Sequence, residues 1–337
     1  MKIVRTDCEL QTPLVDKALT DAGHRLVLLP DGIREEDLIA EIRDADLLLM
    51  CYTPITRKVI ASAPKLRGIV KYGVGIDAID IPAANEHGVT VVNIPEYAEE
   101  TVAEGAFALL IALAKKLPAL NDHMHKEGWA WPEPTWLGTD IAGKTLGIIG
   151  LGKIGRSMAR MAGQGFRARV IAYSPHTPED DMQAIGVEKC DTLDALLTES
   201  DFISIHSVLN EETRHLIGER ELRLMKPSAI LINAARGAII DEDALVRAMC
   251  EGWIAGLGLD VFSREPLSLT DHPMSALFSL PNVILSPHLT FYTKDAMERL
   301  ECETLERCQE LIEGREVLIK STDPRLHIQT KGVTFKG

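Results

Sequence analysis

Three ionisable side chains in the second half of the chain stand just beyond predicted strands. Arg236 lies in Asn233-Ala234-Ala235-Arg236-Gly237, Glu265 in Asp260-Val261-Phe262-Ser263-Arg264-Glu265-Pro266, and His288 in Ser286-Pro287-His288. A guanidinium can grip a carboxylate through two parallel hydrogen bonds, an imidazole exchanges a proton near neutral pH, and a carboxylate can orient that imidazole. Taken singly, each has a plainer reading: a surface ion pair, a loop glutamate, a histidine after proline. Their convergence on the carboxyl ends of strands, the edge where open α/β sheets bind ligands, is what points to a site.

A second signal upstream sets that edge. Leu146 to Ile149 form a short apolar run that ends in Gly150-Leu151-Gly152-Lys153-Ile154-Gly155, followed by apolar residues at helical spacing and a strand from Val170 to Tyr173. This strand, turn, helix, strand order is that of a dinucleotide-binding unit. Gly150 permits the turn, Gly152 leaves room for a pyrophosphate, and Gly155 lets the helix sit close to the strand. The free N–H groups at the helix start would hold the diphosphate.

The elements that must position these residues follow a βα alternation. Ile3 to Arg5, Leu26 to Leu29, Leu47 to Met50, Gly68 to Tyr72 and Val89 to Val92 read as strands, with helices among their connections. After the glycine loop, Phe202 to His206, Ala229 to Asn233, Ile254 to Leu259 and Val283 to Leu285 do the same, with a helix from Glu242 to Glu251. The expected fold is α/β, two doubly wound parallel-sheet domains. A long helix from Ala98 to Lys116, stopped near Pro118, leads into the second domain, and a helix from Phe291 to Gly314 leads back to the first. The expected domains are therefore 1–100 plus 292–337 and 101–291.

Two stretches are less regular. Gly73-Val74-Gly75-Ile76-Asp77 follows the fourth strand, where its N–H groups could take a carboxylate, with the cation of Lys71 and the hydroxyl of Tyr72 just before it. An ordinary strand-to-helix turn is the alternative. Residues 119 to 143 are loop-like and hold Trp129, Trp131 and Trp136, too many tryptophans for a solvated linker. They should pack on their own core or on a second subunit. His123 and His125 lie two apart, a spacing unsuited to a shared metal.

Composition narrows the partners. The net charge of −14 and the scattered basic residues argue against a nucleic-acid backbone. The six cysteines form neither a CxxC pair nor a metal-ligand pattern. No apolar run is long enough to cross a bilayer and MKIVRTDCEL lacks a signal core, so a soluble cytoplasmic protein is expected.

Seven motifs in order, GVGIDAID, TVAEGAFALLIALAK, LGIIGLGKIG, HSVLNEETRHLI, LINAARGAIIDEDAL, GLDVFSREP and SPHLTFYT, make the chain resemble the D-isomer-specific 2-hydroxyacid dehydrogenase family over nearly its whole length. The resemblance implies a Rossmann cofactor domain inserted into a flavodoxin-like substrate domain, NAD or NADP as cofactor, and a homodimer. It implies that Arg236, Glu265 and His288 are catalytic. Hydride passes between nicotinamide and the 2-carbon of the acid while His288 carries the proton of its oxygen, Glu265 orients the imidazole, and Arg236 holds the carboxylate and polarises the 2-oxo group. Cofactor contacts are implied at Gly150, Gly152, Lys153, Ile154, Gly155, Ser174, Ser207, Thr213, Ala234, Ala235, Asp260 and Thr101. Substrate contacts are implied at Val74, Gly75, Lys71, Tyr72 and Arg236.

The chain departs from the family pattern in two places. Ser174 stands where NAD-using members end the second strand with an aspartate for the ribose hydroxyls, which relaxes the bias against a 2′-phosphate and leaves NADP preference and dual use both open. Ser207-Val208-Leu209-Asn210 replaces the frequent Val-Pro-Leu-Thr. The substrate hints conflict: Phe291-Tyr292-Thr293 looks like lactate and branched-hydroxyacid members, Lys71 suits a further anion such as phosphate, and the tryptophan segment resembles one that some glyoxylate and hydroxypyruvate reductases lend to their partner's site. A different class, the dinucleotide-sensing corepressors of the same fold, is the alternative function.

Overall fold

Short apolar runs in the first hundred residues pair as one parallel sheet. The structure is a computed structural model that describes residues 1–336. In chain order its first elements are β1 (Lys2–Arg5), α1 (Pro13–Asp21), β2 (Arg25–Leu28), α2 (Glu35–Ile42), β3 (Leu47–Met50), α3 (Arg57–Ala61), β4 (Gly68–Lys71), α4 (Ile81–Glu86) and β5 (Thr90–Asn93). The strands lie in the order β2-β1-β3-β4-β5, all parallel. Every position of β3 and β4 is buried, as expected where helices cover both faces.

The chain then builds a second unit, Glu99–Tyr292. Its elements are α5 (Glu99–Ala114), α6 (Leu117–Glu127), β6 (Thr145–Ile149), α7 (Lys153–Arg160), β7 (Arg169–Tyr173), α8 (Glu179–Gln183), β8 (Glu188–Lys189), α9 (Leu193–Glu199), β9 (Phe202–Ile205), α10 (Glu219–Leu224), β10 (Ile230–Asn233), α11 (Glu242–Glu251), β11 (Gly256–Leu259) and β12 (Val283–Leu285). The seven strands run β12-β11-β10-β9-β6-β7-β8. All neighbours are parallel, so the carboxyl ends of β6, β9, β10, β11 and β12 share one edge.

The last elements, α12 (Lys294–Glu313), β13 (Val317–Ile319) and β14 (Val333–Phe335), return to the first unit, which comprises Met1–Ala98 and the chain from Thr293 onward. Glu301 of α12 accepts the N–H groups of Leu14 (2.6 Å) and Val15 (3.3 Å), satisfying free donors at the start of α1. Gln329 accepts from Val91 N–H (2.7 Å) and donates to its carbonyl (3.0 Å), so the tail completes the edge of β5. The tail thus has a structural task that its mixed composition does not announce.

The stretch after the long helix corrects the sequence reading. Pro118 does not stop a helix; Lys116, with φ 53, breaks it, and Pro118 sits in the first turn of α6, where its missing N–H costs nothing. Residues 117–127 are therefore helical rather than loop-like. Thr293, whose hydroxyl accepts Ala296 N–H at 3.2 Å, starts α12 later than the expected Phe291. Among the described residues no helix is long and apolar enough to cross a membrane.

Candidate active site

Arg236 leaves the end of β10 on a turn that Asn233 builds. Asn233 Nδ2 donates to the Arg236 carbonyl (2.9 Å) and its Oδ1 accepts Ala235 N–H (3.0 Å). The next residue must be small: a Cβ at Gly237 would fall 2.1 Å from the Phe262 carbonyl carbon. That close approach brings the Arg236 turn against the loop leaving β11, which carries Glu265.

In this loop Phe262 N–H donates to Glu265 Oε1 (3.0 Å), and Ser263 N–H donates to Glu242 of α11 (2.6 Å). The Glu265 carboxylate meets His288 Nδ1 at 2.9 Å through Oε2 and 3.2 Å through Oε1. Burial alone would raise the Glu265 carboxyl. The His288 hydrogen bond and charge, the Phe262 N–H and the Arg236 charge outweigh it and hold the carboxyl below its usual value. His288 itself has φ 57, a left-handed conformation that costs a non-glycine residue about 1–3 kcal/mol and persists only where its surroundings fix it.

The fixing group is Asp260, fully buried at the end of β11. It accepts Leu289 N–H at 2.9 Å, Thr290 N–H at 3.1 Å and the Thr290 hydroxyl at 2.5 Å. Asp260, expected as a cofactor contact, is thus placed as the anchor of the loop that bears the histidine. Arg236, Glu265 and His288 are brought to one edge of one sheet by three different strand ends.

The glycine loop lies on the same edge. Gly150 has φ +90, and a Cβ there would stand 2.6 Å from Ser207 N; one at Gly155 would stand 2.3 Å from the Gly150 carbonyl oxygen. A Cβ at Gly152 would meet nothing within 4 Å. Gly152 caps α7 without a side-chain hydrogen bond, so no cap side chain occupies the start of that helix at Lys153 and Ile154. Ser207 Oγ is buried with no hydrogen-bond partner in the protein. An open cradle, a helix start and an orphaned hydroxyl together fit a dinucleotide. Lys153 also pairs with Glu99 at 2.9 Å, and Thr101 is buried in the first turn of α5. Ala234 is buried and Ala235 half-buried in the Arg236 turn. Thr213 uses its hydroxyl on the Val208 carbonyl (2.6 Å) and Asn210 N–H (2.9 Å), which closes its own loop.

In the first unit the Gly73-Val74-Gly75 turn leaves β4, held by Ile94 N–H on the Gly73 carbonyl (3.1 Å) and Asn93 Nδ2 on the Val74 carbonyl (2.6 Å). Lys71 is buried; its ammonium donates to Cys51 Sγ at 3.2 Å and lies 5.5 Å from the Tyr52 ring centre. Tyr72 corrects the expectation of a substrate contact: the side chain is buried and its hydroxyl donates to the Thr6 and Asp7 carbonyls at 2.5 and 3.1 Å. Desolvation raises that hydroxyl's pKa further, so it acts as a core hydrogen-bond donor.

Sequence reasoning missed Asn233 and Asp7 as positioning residues and gave Asp260 a cofactor contact instead. Asn233 and Asp260 sit inside the quoted motifs, and an Asn at a strand end before a turn is a readable signal. Asp7 is another: its buried carboxylate accepts the N–H groups of Cys51, Tyr52 and Thr53 and so fixes the loop beside Lys71. No local pattern around Asp7 announces that.

Residues 107–290 match the family model of the D-isomer specific 2-hydroxyacid dehydrogenase, NAD binding domain. The chain is 43% identical over 266 residues to a glyoxylate reductase of Korarchaeum cryptofilum, covering 78% of each protein. It is 38% identical over 299 residues to a D-3-phosphoglycerate dehydrogenase of Methanocaldococcus jannaschii, covering 88% of this chain and 55% of that one. The crystal structure of the Aquifex aeolicus D-lactate dehydrogenase complexed with NAD and lactic acid superposes with a TM-score of 0.83 at 31% identity, over 93% of this chain and 96% of that one. The chain belongs to the D-isomer-specific 2-hydroxyacid dehydrogenase family, nicotinamide-dinucleotide oxidoreductases that interconvert 2-oxo and 2-hydroxy acids.

Proposed function

We propose that this chain reduces a small 2-oxo acid of the glyoxylate and hydroxypyruvate class, with Arg236, Glu265 and His288 as its catalytic residues. The observation that carries the assignment is the His288 Nδ1 contact with Glu265 at 2.9 Å, on the edge that also holds the glycine loop. The bound dinucleotide supplies the hydride. Glu265 holds the ring through Nδ1, so the proton for the substrate oxygen comes from Nε2. Arg236 takes the substrate carboxylate and polarises the 2-oxo group. Gly150, Gly152 and Gly155, with the start of α7 at Lys153 and Ile154, would hold the diphosphate, and Ser207, Thr101, Ala234 and Ala235 would contact the rest of the dinucleotide.

A second substrate reading rests on Lys71. A buried ammonium whose hydrogen-bond acceptor is a thiol retains capacity for an anion, which suits a phosphorylated acid. Purified protein is to be offered glyoxylate, hydroxypyruvate, phosphohydroxypyruvate, pyruvate and branched 2-oxo acids with NADH and NADPH. Turnover of the small acids that disappears in His288→Ala supports the first reading; a preference for the phosphorylated acid that Lys71→Ala removes supports the second. Silence across the panel with intact cofactor binding refutes both and returns the corepressor class.

The assembly we propose is a homodimer joined through α6 and the tryptophan segment. No residue of α6 is buried, and Trp129, Trp131 and Leu137 are 61, 73 and 72% exposed. Apolar side chains gathered at this level of exposure mark an interface. Sedimentation should give a dimer that Trp131→Glu weakens; a monomer at all concentrations would contradict it.

A further inference from the structure

The chain beyond α12 reaches back to the turn that leaves the carboxyl end of β4. Two carbonyls fix that turn from the side of β5: Gly73 C=O accepts Ile94 N–H at 3.1 Å, and Val74 C=O accepts Asn93 Nδ2 at 2.6 Å. Both peptides are trans, and a trans peptide points its N–H opposite to its C=O. The N–H groups of Val74 and Gly75 are therefore both directed away from β5. Among the described residues neither meets a backbone acceptor.

The far end of the turn is held from the tail. Arg325 Nη1 donates to Asp77 Oδ1 at 3.0 Å. Nε and Nη2 of the same guanidinium grip Asp323 at 3.0 and 2.7 Å, and Arg325 N–H donates to that carboxylate at 2.9 Å. The fork is thus set before it meets Asp77, and a guanidinium shared by two carboxylates holds its geometry better than a single exposed pair. The stretch that follows is seated on its own: Leu326 is fully buried, Gln329 bonds both backbone groups of Val91, and Lys336 meets Glu96 at 2.6 Å.

We infer that Arg325 is a positioning residue of the substrate site: through Asp77 it holds the outer end of turn 73–77 and so keeps the Val74 and Gly75 N–H groups aimed at the substrate carboxylate. Successive N–H groups make an anion-binding concavity only while their peptide planes stay fixed. Asn93 and Ile94 fix the planes on the β5 side, and the Asp77 ion pair, two residues past Gly75, stops the rest of the turn from swinging them. The task suits an arginine. Its charge is permanent, and its planar fork serves Asp323 and Asp77 together, which the point charge of a lysine does less well.

The inference rests on the 2-oxo acid reading above, and the experiment has one readout that needs no turnover. KM and kcat for glyoxylate, inhibition by oxamate, dinucleotide affinity and the thermal midpoint are to be measured for the wild type, Arg325→Gln, Asp77→Asn and the double variant. Amide hydrogen exchange is followed at Ile79, which bonds within the turn, and at Ile94, which bonds onto it. Arg325→Gln should raise KM and the oxamate inhibition constant by about two- to fivefold, the scale of one partly exposed pair. It should leave kcat, dinucleotide affinity and the midpoint in place and speed exchange at Ile79. Asp77→Asn should do the same, the double variant should add nothing further, and Arg325→Lys should fall between Arg325→Gln and the wild type. Lys336→Gln frees the tail from Glu96 but not from Asp77, so its KM and exchange should match the wild type. Wild-type KM and exchange in Arg325→Gln, losses that multiply in the double variant, or equal losses in Lys336→Gln overturn the role of Arg325. A wild type that leaves glyoxylate unreduced refutes the substrate reading alone; exchange then decides whether Arg325 holds the turn, and an unchanged rate in Arg325→Gln overturns that as well.

Discussion

Thr290 donates both its backbone N–H and its hydroxyl to Asp260, at 3.1 and 2.5 Å, and so ties the loop of His288 to the end of β11. The tie crosses thirty residues of sequence and ends on a carboxylate with no solvent contact. Asp260→Asn turns an acceptor-only group into one that presents an amide donor to N–H and O–H partners. It should cost about 1–3 kcal/mol of stability, the scale of one unsatisfied buried polar group. It should also lower kcat more than it raises KM, because the imidazole loses its fixed position. Urea denaturation and steady-state kinetics check both; a variant with wild-type kcat would remove Asp260 from the positioning of His288.

The glycines of the loop should separate by what their Cβ meets. Gly155→Ala places a methyl 2.3 Å from the Gly150 carbonyl oxygen, and Gly150→Ala adds a left-handed φ, so both should destabilise the fold before any cofactor is added. Gly152→Ala places its methyl in open space. That variant should keep its thermal midpoint without cofactor and lose dinucleotide affinity by an order of magnitude or more, about the effect of one steric intrusion on a diphosphate. A Gly152→Ala protein that binds normally would move the diphosphate away from this loop.

The contrast between those glycines also shows what a sequence discloses. The GxGxxG spacing, the βα alternation and the three ionisable residues past strand ends are local patterns, and local patterns are legible because strand, turn and helix each impose a period or a residue type. Asp260 acts on Leu289 and Thr290, about thirty residues away, and Asp7 on Cys51, Tyr52 and Thr53, more than forty residues away, and no local period announces such partners. Tyr72 errs for the same reason. Its neighbours in sequence suggest a ligand-binding turn, but the residue leaves β4 on the side that faces Thr6 and Asp7 of the sheet interior. Pro118 was ambiguous in kind, since proline both ends one helix and opens the next.

A pH dependence of stability should arise from His206. Burial holds its ring neutral, with a pKa lowered to about 4; Nε2 meets Ser204 Oγ at 2.8 Å, and Nδ1 is enclosed without a partner. The unfolded chain takes up this proton near pH 6.5, so between there and about pH 4 the unfolded state binds more protons and stability falls as pH falls. The slope should not exceed about 1.4 kcal/mol per pH unit from this one group. His206→Asn should flatten the curve in that window. An unchanged slope would assign the acid sensitivity to other groups.

Glu265 gives the complementary case, with the opposite partner to remove. Its carboxyl titrates below its usual value although burial pushes it up, because His288 first, then Phe262 N–H and Arg236, favour the ionised form. A lowered carboxyl contributes stability that is present above its unfolded value near 4.5 and is lost as pH falls through the folded value. His288→Gln deletes the largest of the lowering influences and leaves burial opposed only by Phe262 and Arg236. The stability difference between His288→Gln and the wild type should therefore be fully present above about pH 4.5 and shrink as pH falls from there through the lowered value of the Glu265 carboxyl. Turnover should fall by about two to four orders of magnitude in the same variant, the usual worth of a general acid. Denaturation curves at several pH values check the first part. A difference independent of pH would mean that the 2.9 Å contact does not stabilise the Glu265 carboxylate, and the assignment of Glu265 as the group that holds the imidazole would fall with it.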